Sequence, residues 1–237
     1  MDWTDEGILL SLRPHGETAA IAVLLTRDHG CHAGLVHGGA GKAARAALQP
    51  GNRLQIVWKA RLADHLGRLS WELAAASGAV WLQDPLRLAG LSAACAMSET
   101  TMPEREPHRA AYDGLAALLA NLGEEQWPSL YAHWELGLLR ELGYSLDLSS
   151  CAATGRTDDL AYVSPRSGRA VGREAGQPYR DRLLPLPSFL LDRSFGSRPD
   201  VVAALALTGF FFEHHVLGPH GRSLPPARSR LVDRLQA

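Results

Sequence analysis

A glycine-rich segment that ends in a lysine is the most direct candidate for phosphate chemistry in this sequence. The segment is Gly38-Gly-Ala-Gly41-Lys42. A P-loop has the pattern Gly-x-x-x-x-Gly-Lys-Ser/Thr, in which the hydroxyl holds magnesium. The sequence has Val36 in place of the first glycine and Ala43 in place of the hydroxyl residue, so a P-loop is excluded. Two interpretations remain open: a flexible loop that presents Lys42 and Arg45 to a phosphate backbone, or a plain linker between a strand and a helix.

Histidine, cysteine and acidic residues do not form a recognisable catalytic or zinc-binding pattern. Two clusters invite a metal interpretation, and they consist of His29, Cys31, His32 and His37 and of His214, His215 and His220. Zinc requires about four converging ligands, and neither spacing supplies them. Neighbouring acids such as Asp158-Asp159 are typical of solvated loops, and no GxSxG, HExxH or paired CxxC motif occurs. We therefore predict no catalytic residue, no bound metal and no cofactor.

The composition is that of a soluble globular protein. The 237 residues carry a net charge of −1, with 46% hydrophobic and 21% charged residues. Cys31, Cys95 and Cys151 have no close pair, which excludes a disulfide framework. No stretch approaches the roughly 18–20 uncharged apolar residues of a membrane span. The acidic start, MDWTDEG, is unlike a signal peptide, so we expect a cytoplasmic protein without a membrane partner.

The small net charge hides an uneven distribution along the chain. Residues 1–80 carry a net charge of +1, residues 81–150 carry −6 and residues 151–237 carry +4, while residues 7–80 alone carry +4. Basic modules beside an acidic one suit a protein that holds polyanions on some of its faces. Chance variation of surface charge is an equal alternative.

Residues 1–80 show the alternation and turn signals of β-strands. Apolar or alternating runs predict five strands, over 7–13, 18–27, 31–37, 52–62 and 66–73, and a short Ala-rich helix over 42–48. Five strands with a helix between the third and the fourth are the order of an OB-fold barrel. A five-stranded SH3-like barrel is the competing interpretation.

Helical spacing of apolar residues replaces the alternation in the rest of the chain. Proline in the first turn marks three predicted helix starts, at Asp84-Pro85, Glu106-Pro107 and Gln126-Trp127-Pro128. A last long helix is predicted from Arg198-Pro199 to Gly218-Pro219.

Two segments lack this spacing. Residues of about 144–180 are interpreted as an irregular insert with a hairpin-like segment from Ala161 to Val171. The basic tail over 221–237 is expected to be only partly ordered. The predicted fold class is therefore α+β, with a barrel domain over 1–80 and a mainly helical domain over 81–237 that carries the insert.

Short motifs are spread along nearly the whole chain. In chain order they include Trp3-x-Asp5-Glu6-Gly7, Arg13-Pro-x-Gly16-Glu17, Leu48-Gln-Pro-Gly51, Pro103-Glu-Arg-Glu-Pro107, Tyr162-Val-Ser-Pro-x-Ser-Gly168 and Leu184-Pro-Leu-Pro187. Together they resemble the motifs of the RecO recombination mediators, particularly the alphaproteobacterial branch. The resemblance implies an OB-fold barrel followed by a helical domain with a zinc-finger-like insert. It also implies binding of single- and double-stranded DNA, annealing of complementary strands, docking on the C-terminal tail of single-strand-binding protein, and loading of RecA together with RecR.

The insert departs from the family pattern at its zinc ligands. Where the family begins the insert with a CxxCG knuckle, this chain has Cys151-Ala-Ala-Thr154-Gly155, and the second pair is expected near Gly172 and Ala175. Three of the four ligands are missing, so the insert is expected to be degenerate and free of metal.

Basic residues of the barrel are the predicted contacts to the phosphate backbone, with one aromatic stacking candidate. They are Arg13, Arg27, Lys42, Arg45, Lys59, Arg61 and Arg68, together with Trp58. An extension of the DNA track across the insert is predicted at Arg166, Arg169, Arg173, Arg180 and Arg182. For the tail of single-strand-binding protein, which is acidic and ends in an apolar residue, we expect an apolar pocket with Arg109 or Arg140 at its rim. A solvated surface cation is the alternative for each of these residues.

Two other function classes compete with a DNA-binding mediator that lacks catalytic turnover. One is a pure protein adaptor of the recombination machinery that does not bind DNA, which the near-neutral isoelectric point favours slightly. The other is a metal-dependent nuclease, which would need converging acids or histidines that the sequence does not show. For the mediator, a location in the cytoplasm at the nucleoid is expected.

Overall fold

In the computed structural model, which describes residues 1–62, 65–77 and 79–237, the first strand is long enough to pair on both sides. β1, Asp2–His15, pairs with β2, Ala19–Thr26, through its second half. Its first half pairs with β4, Arg53–Lys59. A bulge between Leu9 and Ser11 bends β1 near the place where it changes partner, as extra residues in a strand do.

Two further strands close the sheet. β3, Gly30–Val36, pairs with β2, and β5, Gly67–Ala75, pairs with β4, while the helix α1, Lys42–Ala47, lies between β3 and β4 in the chain. A short parallel pairing of β3 with β5 completes a closed barrel in the order β1-β2-β3-β5-β4. This is the OB-fold, so the predicted fold is confirmed over the SH3-like alternative.

The closing pair consists of two glycines that leave room for a tryptophan. Gly34 and Gly67 are partners in the parallel pairing of β3 with β5. A Cβ atom at Gly67 would lie 2.2 Å from Cε2 of Trp58, and one at Gly34 would lie 2.8 Å from Cβ of Leu69. Trp58 and Leu69 belong to the barrel core, so a side chain at either glycine would collide with it.

Two helices complete the first compact unit, which comprises Met1–Gly123 and Pro225–Leu231. A 3-10 turn, Ala79–Trp81, precedes α2, Pro85–Thr101, and α3, Arg109–Ala120, follows. The carboxylate of Asp84 accepts hydrogen bonds from the backbone N–H groups of Leu86 and Arg87, which confirms the predicted helix start. This unit extends beyond residue 80, and the predicted domain boundary there stays a prediction.

The second unit, Glu124–Leu224 with Val232–Ala237, combines helices with a small sheet. Its long helices are α4, Trp127–Glu141, and α7, Arg198–Phe211, and its short ones are α5, Arg173–Gly176, and α6, Phe189–Asp192. β6, Leu160–Val163, lies between β7, Ala170–Gly172, and β8, Leu184–Pro185. A 3-10 segment, Gln177–Arg182, precedes β8. Beyond α7 the chain continues as a π-helical turn, Phe212–Leu217, and a 3-10 turn, Gly218–His220.

Two expectations about regular structure have different outcomes. The hairpin-like segment of the insert is confirmed, because β6 pairs with β7, and β6 also pairs with β8, so the insert is more regular than expected. The expectation for the tail is wrong. The basic tail forms α8, Pro226–Gln236, in which Leu231 and Leu235 are buried. Two apolar positions four residues apart supplied the helical signal in this otherwise polar tail.

One segment passes the length and composition test for a membrane span, against the expectation that none would. Arg198–His220 is a continuous helical stretch of 23 residues that is long and apolar enough to cross a membrane. Half of its most apolar part is buried inside the protein, and α7 packs against α4. Core packing therefore accounts for its apolar character.

The closing glycines generate the first prediction. Because Ala at position 67 forces its Cβ into the indole of Trp58, we expect Gly67→Ala to lower the free energy of unfolding by about 1–3 kcal/mol. The measurement is chemical unfolding followed by circular dichroism. Gly137→Ala is the matched control, since Gly137 lies within α4 with no atom near the added methyl, and it should be neutral or slightly stabilising. Equal stability of wild type and Gly67→Ala would contradict the role of the glycine pair.

Candidate nucleic-acid interface

The strand registers place a continuous row of side chains on the outside of the barrel. Arg13 pairs with Ile21, Ile21 with Leu35, Leu35 with Arg68, and Arg68 with Lys59. Because partners in register project from the same face of a sheet, these five residues form one row across β1, β2, β3, β5 and β4. Arg13, Arg68 and Lys59 are exposed, whereas Ile21 and Leu35 are half-buried. We call this set the basic row.

The charges of the basic row are only partly compensated. Nη2 of Arg13 lies 3.7 Å from a carboxylate oxygen of Glu99, and Nζ of Lys59 lies 4.0 Å from one of Asp2. Both are exposed ion pairs, which contribute little stability. Arg68 has no ion pair among the described residues. Since Lys59 and Arg68 stand directly opposite each other, their repulsion costs stability and concentrates positive potential at this place.

The structure places the other predicted basic residues of the barrel domain outside the row. Arg45 of α1 lines a cavity of about 300 Å³ together with Leu12 and Ala20. Arg61, two positions after the end of β4, is exposed, as are Leu62 and Lys42. The loops that flank the β2–β3 face are those through which OB-folds bind oligonucleotides.

Arg27 lies elsewhere on the barrel. It follows the last residue of β2, six positions beyond Ile21, which corresponds to about 20 Å along an extended strand. Its guanidinium lies 3.8 Å from a carboxylate oxygen of Asp113 in α3. The structure therefore does not bring Arg27 to the basic row.

Trp58 belongs to the barrel core rather than to the surface. Its side chain is 2% exposed, and its ring stacks on Trp3 with 5.4 Å between centroids. The indole N–H donates to the carbonyl oxygen of Ala33 at 3.2 Å. This ring is therefore inaccessible to a base. The sequence already indicated this burial, because the alternation of β4 places Trp58 on the same face as Leu54 and Ile56.

A second candidate site is a groove of about 570 Å³ in the helical unit, which we call the leucine groove. Its apolar lining is Leu130, Leu136, Leu146, Leu148 and Leu190. Arg140, Arg193 and His133 supply its polar groups. Leu130, His133 and Arg140 recur at helical spacing on one face of α4, so sequence could have indicated that face, whereas nothing local marks Arg193.

Of the two predicted rim residues, the structure places Arg140 at the leucine groove. Arg109 lies at the start of α3 in the other unit, where its Nε donates to a carboxylate oxygen of Asp28 at 2.8 Å.

Comparison with known proteins assigns the family. The family described as Recombination protein O N terminal matches residues 1–76, and the one described as Recombination protein O C terminal matches residues 82–224. A protein of Rhodospirillum centenum named DNA repair protein RecO is 57% identical over 99% of this chain and 94% of its own length. Proteins of the same name from Rhodospirillum rubrum and from one strain of Caulobacter vibrioides are 52% and 50% identical, over 100% and 99% of this chain and 97% and 98% of their own lengths. The chain belongs to the RecO family. The resemblance inferred from the motifs is confirmed, and with it a role in DNA repair and recombination.

The RecO-type insert retains a knuckle around Cys151 without a second ligand pair. The N–H of Gly155 donates to the carbonyl oxygen of Cys151 at 2.8 Å, and the N–H of Gly172 donates to its Sγ at 3.2 Å. The hydrogen bond from Gly172 to the sulfur, together with that from the Thr154 side chain, lowers the pKa of Cys151 to about 7. No group of three or more metal-binding side chains converges within the described ranges, so the zinc-finger-like character and the metal content stay predictions.

The predicted arginine track over the insert is interrupted by carboxylates. Arg169 is paired with Asp147 at 3.3 Å, Arg173 with Asp159 at 3.1 Å and Arg180 with Asp181 at 3.6 Å. Arg166 and Arg182 are exposed and have no ion pair in the part of the chain that the structure describes. Arg166 lines a small cavity together with Tyr144 and His215.

The knuckle generates the second prediction. Burial raises the pKa values of Cys31 and Cys95 to about 12, so Cys151 is the thiol expected to ionise near neutral pH. Titration of thiolate absorbance should show about one thiolate per chain with a midpoint near pH 7, absent in Cys151→Ser. Because the pKa is lowered, the stabilisation by the thiolate is present at alkaline pH and is lost as pH falls through 7.

Elemental analysis complements this titration. We expect no stoichiometric zinc in the purified protein; about one zinc per chain would overturn the degenerate-knuckle interpretation.

Proposed function

We propose that this chain is a recombination mediator that binds single- and double-stranded DNA along the basic row and anneals complementary strands without catalytic turnover. The observation that carries the proposal is that Lys59 on β4 and Arg68 on β5 stand opposite each other in the strand register, on the outer face of an OB-fold barrel. Two like charges held side by side next to half-buried Ile21 and Leu35 suit a ligand with regularly spaced phosphates and apolar base faces.

The geometry supports binding without sequence readout. The guanidinium and ammonium groups of Arg13, Arg68 and Lys59 contact phosphates and release condensed counterions, which supplies affinity that does not depend on the bases. Ile21 and Leu35 offer a flat apolar surface but no hydrogen-bonding side chain that distinguishes one base from another. DNA strands that are held by their backbones keep their base edges free. Complementary DNA strands can therefore pair while the basic row screens the repulsion between their phosphates.

We further propose that the partners are those of a RecO mediator. The chain acts with RecR to help load RecA onto DNA coated by single-strand-binding protein, in the cytoplasm at the nucleoid. Membership of the RecO family supports this assignment.

The leucine groove is our proposed receptor for the C-terminal tail of single-strand-binding protein. The apolar end of such a tail fits among the leucines, and its free carboxylate pairs with Arg140 and Arg193. An adaptor that docks only on proteins is the second candidate function, because this groove suits a peptide whether or not the barrel binds DNA.

The third prediction separates the mediator from the adaptor. Fluorescence anisotropy of a labelled single-stranded oligonucleotide should show saturable binding that weakens steeply between about 50 and 200 mM salt. The double variant Lys59→Ala/Arg68→Ala removes two phosphate contacts, so its affinity should fall about tenfold or more and the slope of log K against log salt should become shallower by about 1.4.

The matched control removes the same charge elsewhere. Arg222→Ala/Arg230→Ala alters two exposed arginines near the C-terminus and should leave affinity nearly unchanged. Equal loss in both double variants would show that net charge rather than the basic row matters. Absence of binding by the wild type at low salt would favour the adaptor.

The fourth prediction concerns the leucine groove. A short acidic peptide with an apolar C-terminal residue should bind the full chain, and Arg140→Ala or Arg193→Ala should weaken binding about tenfold, as loss of a charge-assisted hydrogen bond does. The measurement is isothermal titration calorimetry, with the C-terminally amidated peptide as a ligand control.

Arg109→Ala is the matched protein control, because Arg109 is an equally exposed arginine outside the groove. If only Arg109→Ala weakened peptide binding, the peptide site would lie at Arg109, the other predicted rim residue, rather than in the leucine groove.

A further inference from the structure

A small cavity in the helical unit combines aromatic rings with the cation of Arg166, which has no ion pair among the residues that the structure describes. The cavity has a volume of about 260 Å³, and Tyr144, Ser145, Arg166, Ser167, Phe211 and His215 contribute to its lining. This volume lies below the roughly 300–1,000 Å³ typical of sites for drug-sized ligands, so it suits a single flat group. We call it the aromatic pocket.

Three rings of the aromatic pocket contact one another in succession. His215 stacks on Phe211 with 5.5 Å between centroids and 19° between planes. Tyr144 approaches His215 at 5.8 Å and 38°, and its side chain is 41% exposed. Tyr144 is held there because Gly143, in the left-handed conformation with φ of 84°, ends α4 and the N–H of Tyr144 donates to the carbonyl oxygen of Leu139 at 2.9 Å. The ring of Tyr144 thus contacts His215 and is partly open to solvent.

A wide helical turn supplies the histidine. The turn Phe212–Leu217 is π-helical, a rare conformation that is frequent at functional sites. It depends on Gly218, where a Cβ atom would lie 2.4 Å from the carbonyl oxygen of Glu213. His214 stacks on Phe210 at 4.0 Å in the same way as His215 stacks on Phe211. The turn therefore presents two supported imidazole rings in succession.

The cation of the aromatic pocket is Arg166, which lies at the tip of the hairpin formed by β6 and β7. Arg166 and Ser167 are both exposed there, and the tip is fixed by the N–H of Gly168, which donates to the carbonyl oxygen of Ser164 at 2.9 Å. Gly168 has a φ of 67°, which glycine adopts without strain. A guanidinium and a hydroxyl beside an open aromatic face are the groups that hold the phosphate and the base of one nucleotide.

We propose that the aromatic pocket binds one unpaired nucleotide of a single DNA strand, with its base stacked on Tyr144 and its phosphate paired with Arg166. This inference rests on the proposed function, in which the chain binds single-stranded DNA, and adds a site that the basic row does not provide. The basic row contacts backbones and accepts single and double strands alike. The pocket requires a base with a free face, so it selects unpaired DNA.

The test compares single and double strands on the full chain. Anisotropy of a labelled thymidine oligonucleotide and of a duplex of equal length is measured for wild type and Tyr144→Leu, which keeps an apolar side chain but removes the ring. Single-strand affinity should fall about fivefold or more, the effect of losing one stacked base, whereas duplex affinity should stay within about twofold. Tyr144→Phe retains the ring and should bind as wild type does.

A matched control tests whether the loss of any exposed aromatic ring weakens binding, and a second readout does not depend on the folding of a variant. Phe195→Leu removes an aromatic ring that is 57% exposed outside the pocket, and it should change neither affinity. Ultraviolet cross-linking of wild type to an oligonucleotide that carries 4-thiothymidine should label a peptide that contains Tyr144, and this readout does not depend on the folding of any variant.

Three outcomes would overturn the inference. They are an unchanged single-strand affinity in Tyr144→Leu, an equal loss for single strands and duplex, and cross-links confined to the barrel. If Tyr144→Leu instead weakens binding of the acidic peptide alone, the pocket is a peptide site and the inference is wrong. Failure of the wild type to bind either DNA would contradict the proposed function as well, so the two failures are distinguishable.

Discussion

The absence of side chains at Gly34 and Gly67 is the constraint on which the barrel surface depends. Because these residues have no side chain, β3 can pair with β5 beside the indole of Trp58. This pairing closes the sheet into a barrel. Closure also brings Leu35 next to Arg68 in register. Without that step the row that starts at Arg13 would end at Leu35 on β3 and would not continue to Arg68.

Much of the fold could be predicted from the sequence because the relevant forces are local. Alternation with period two identified the barrel strands, and Asp84 before Pro85 marked a helix start that the structure confirms. Turn residues between short apolar runs indicated the hairpin of β6 and β7, whereas its third strand, β8, was missed because two residues are too short for a periodic signal. The tail helix was missed because its two buried leucines stand among charged residues that suggested solvent.

The candidate sites were less predictable, since they depend on pairing between distant segments. Residue type identified Arg13, Lys59 and Arg68, but only the register shows that they share a row. The same register separates Arg27 from them. Trp58 was offered as a stacking residue although its position in the alternation placed it inside. The aromatic pocket was not predicted, because a π-helical turn has no sequence signature and because Tyr144 and Arg166 belong to different elements.

The carboxylates of Asp2 and Glu99 give the basic row a built-in competitor. In the free protein Asp2 forms an ion pair with Lys59 and Glu99 forms one with Arg13, as a small anion from solution could. A lone phosphate or a mononucleotide therefore gains little by replacing them, since it exchanges one ion pair for another. A polymer brings many linked charges, and each one it places raises the local concentration of the next. If the basic row binds DNA as we propose, it therefore favours long polyanions over the small anions of its surroundings.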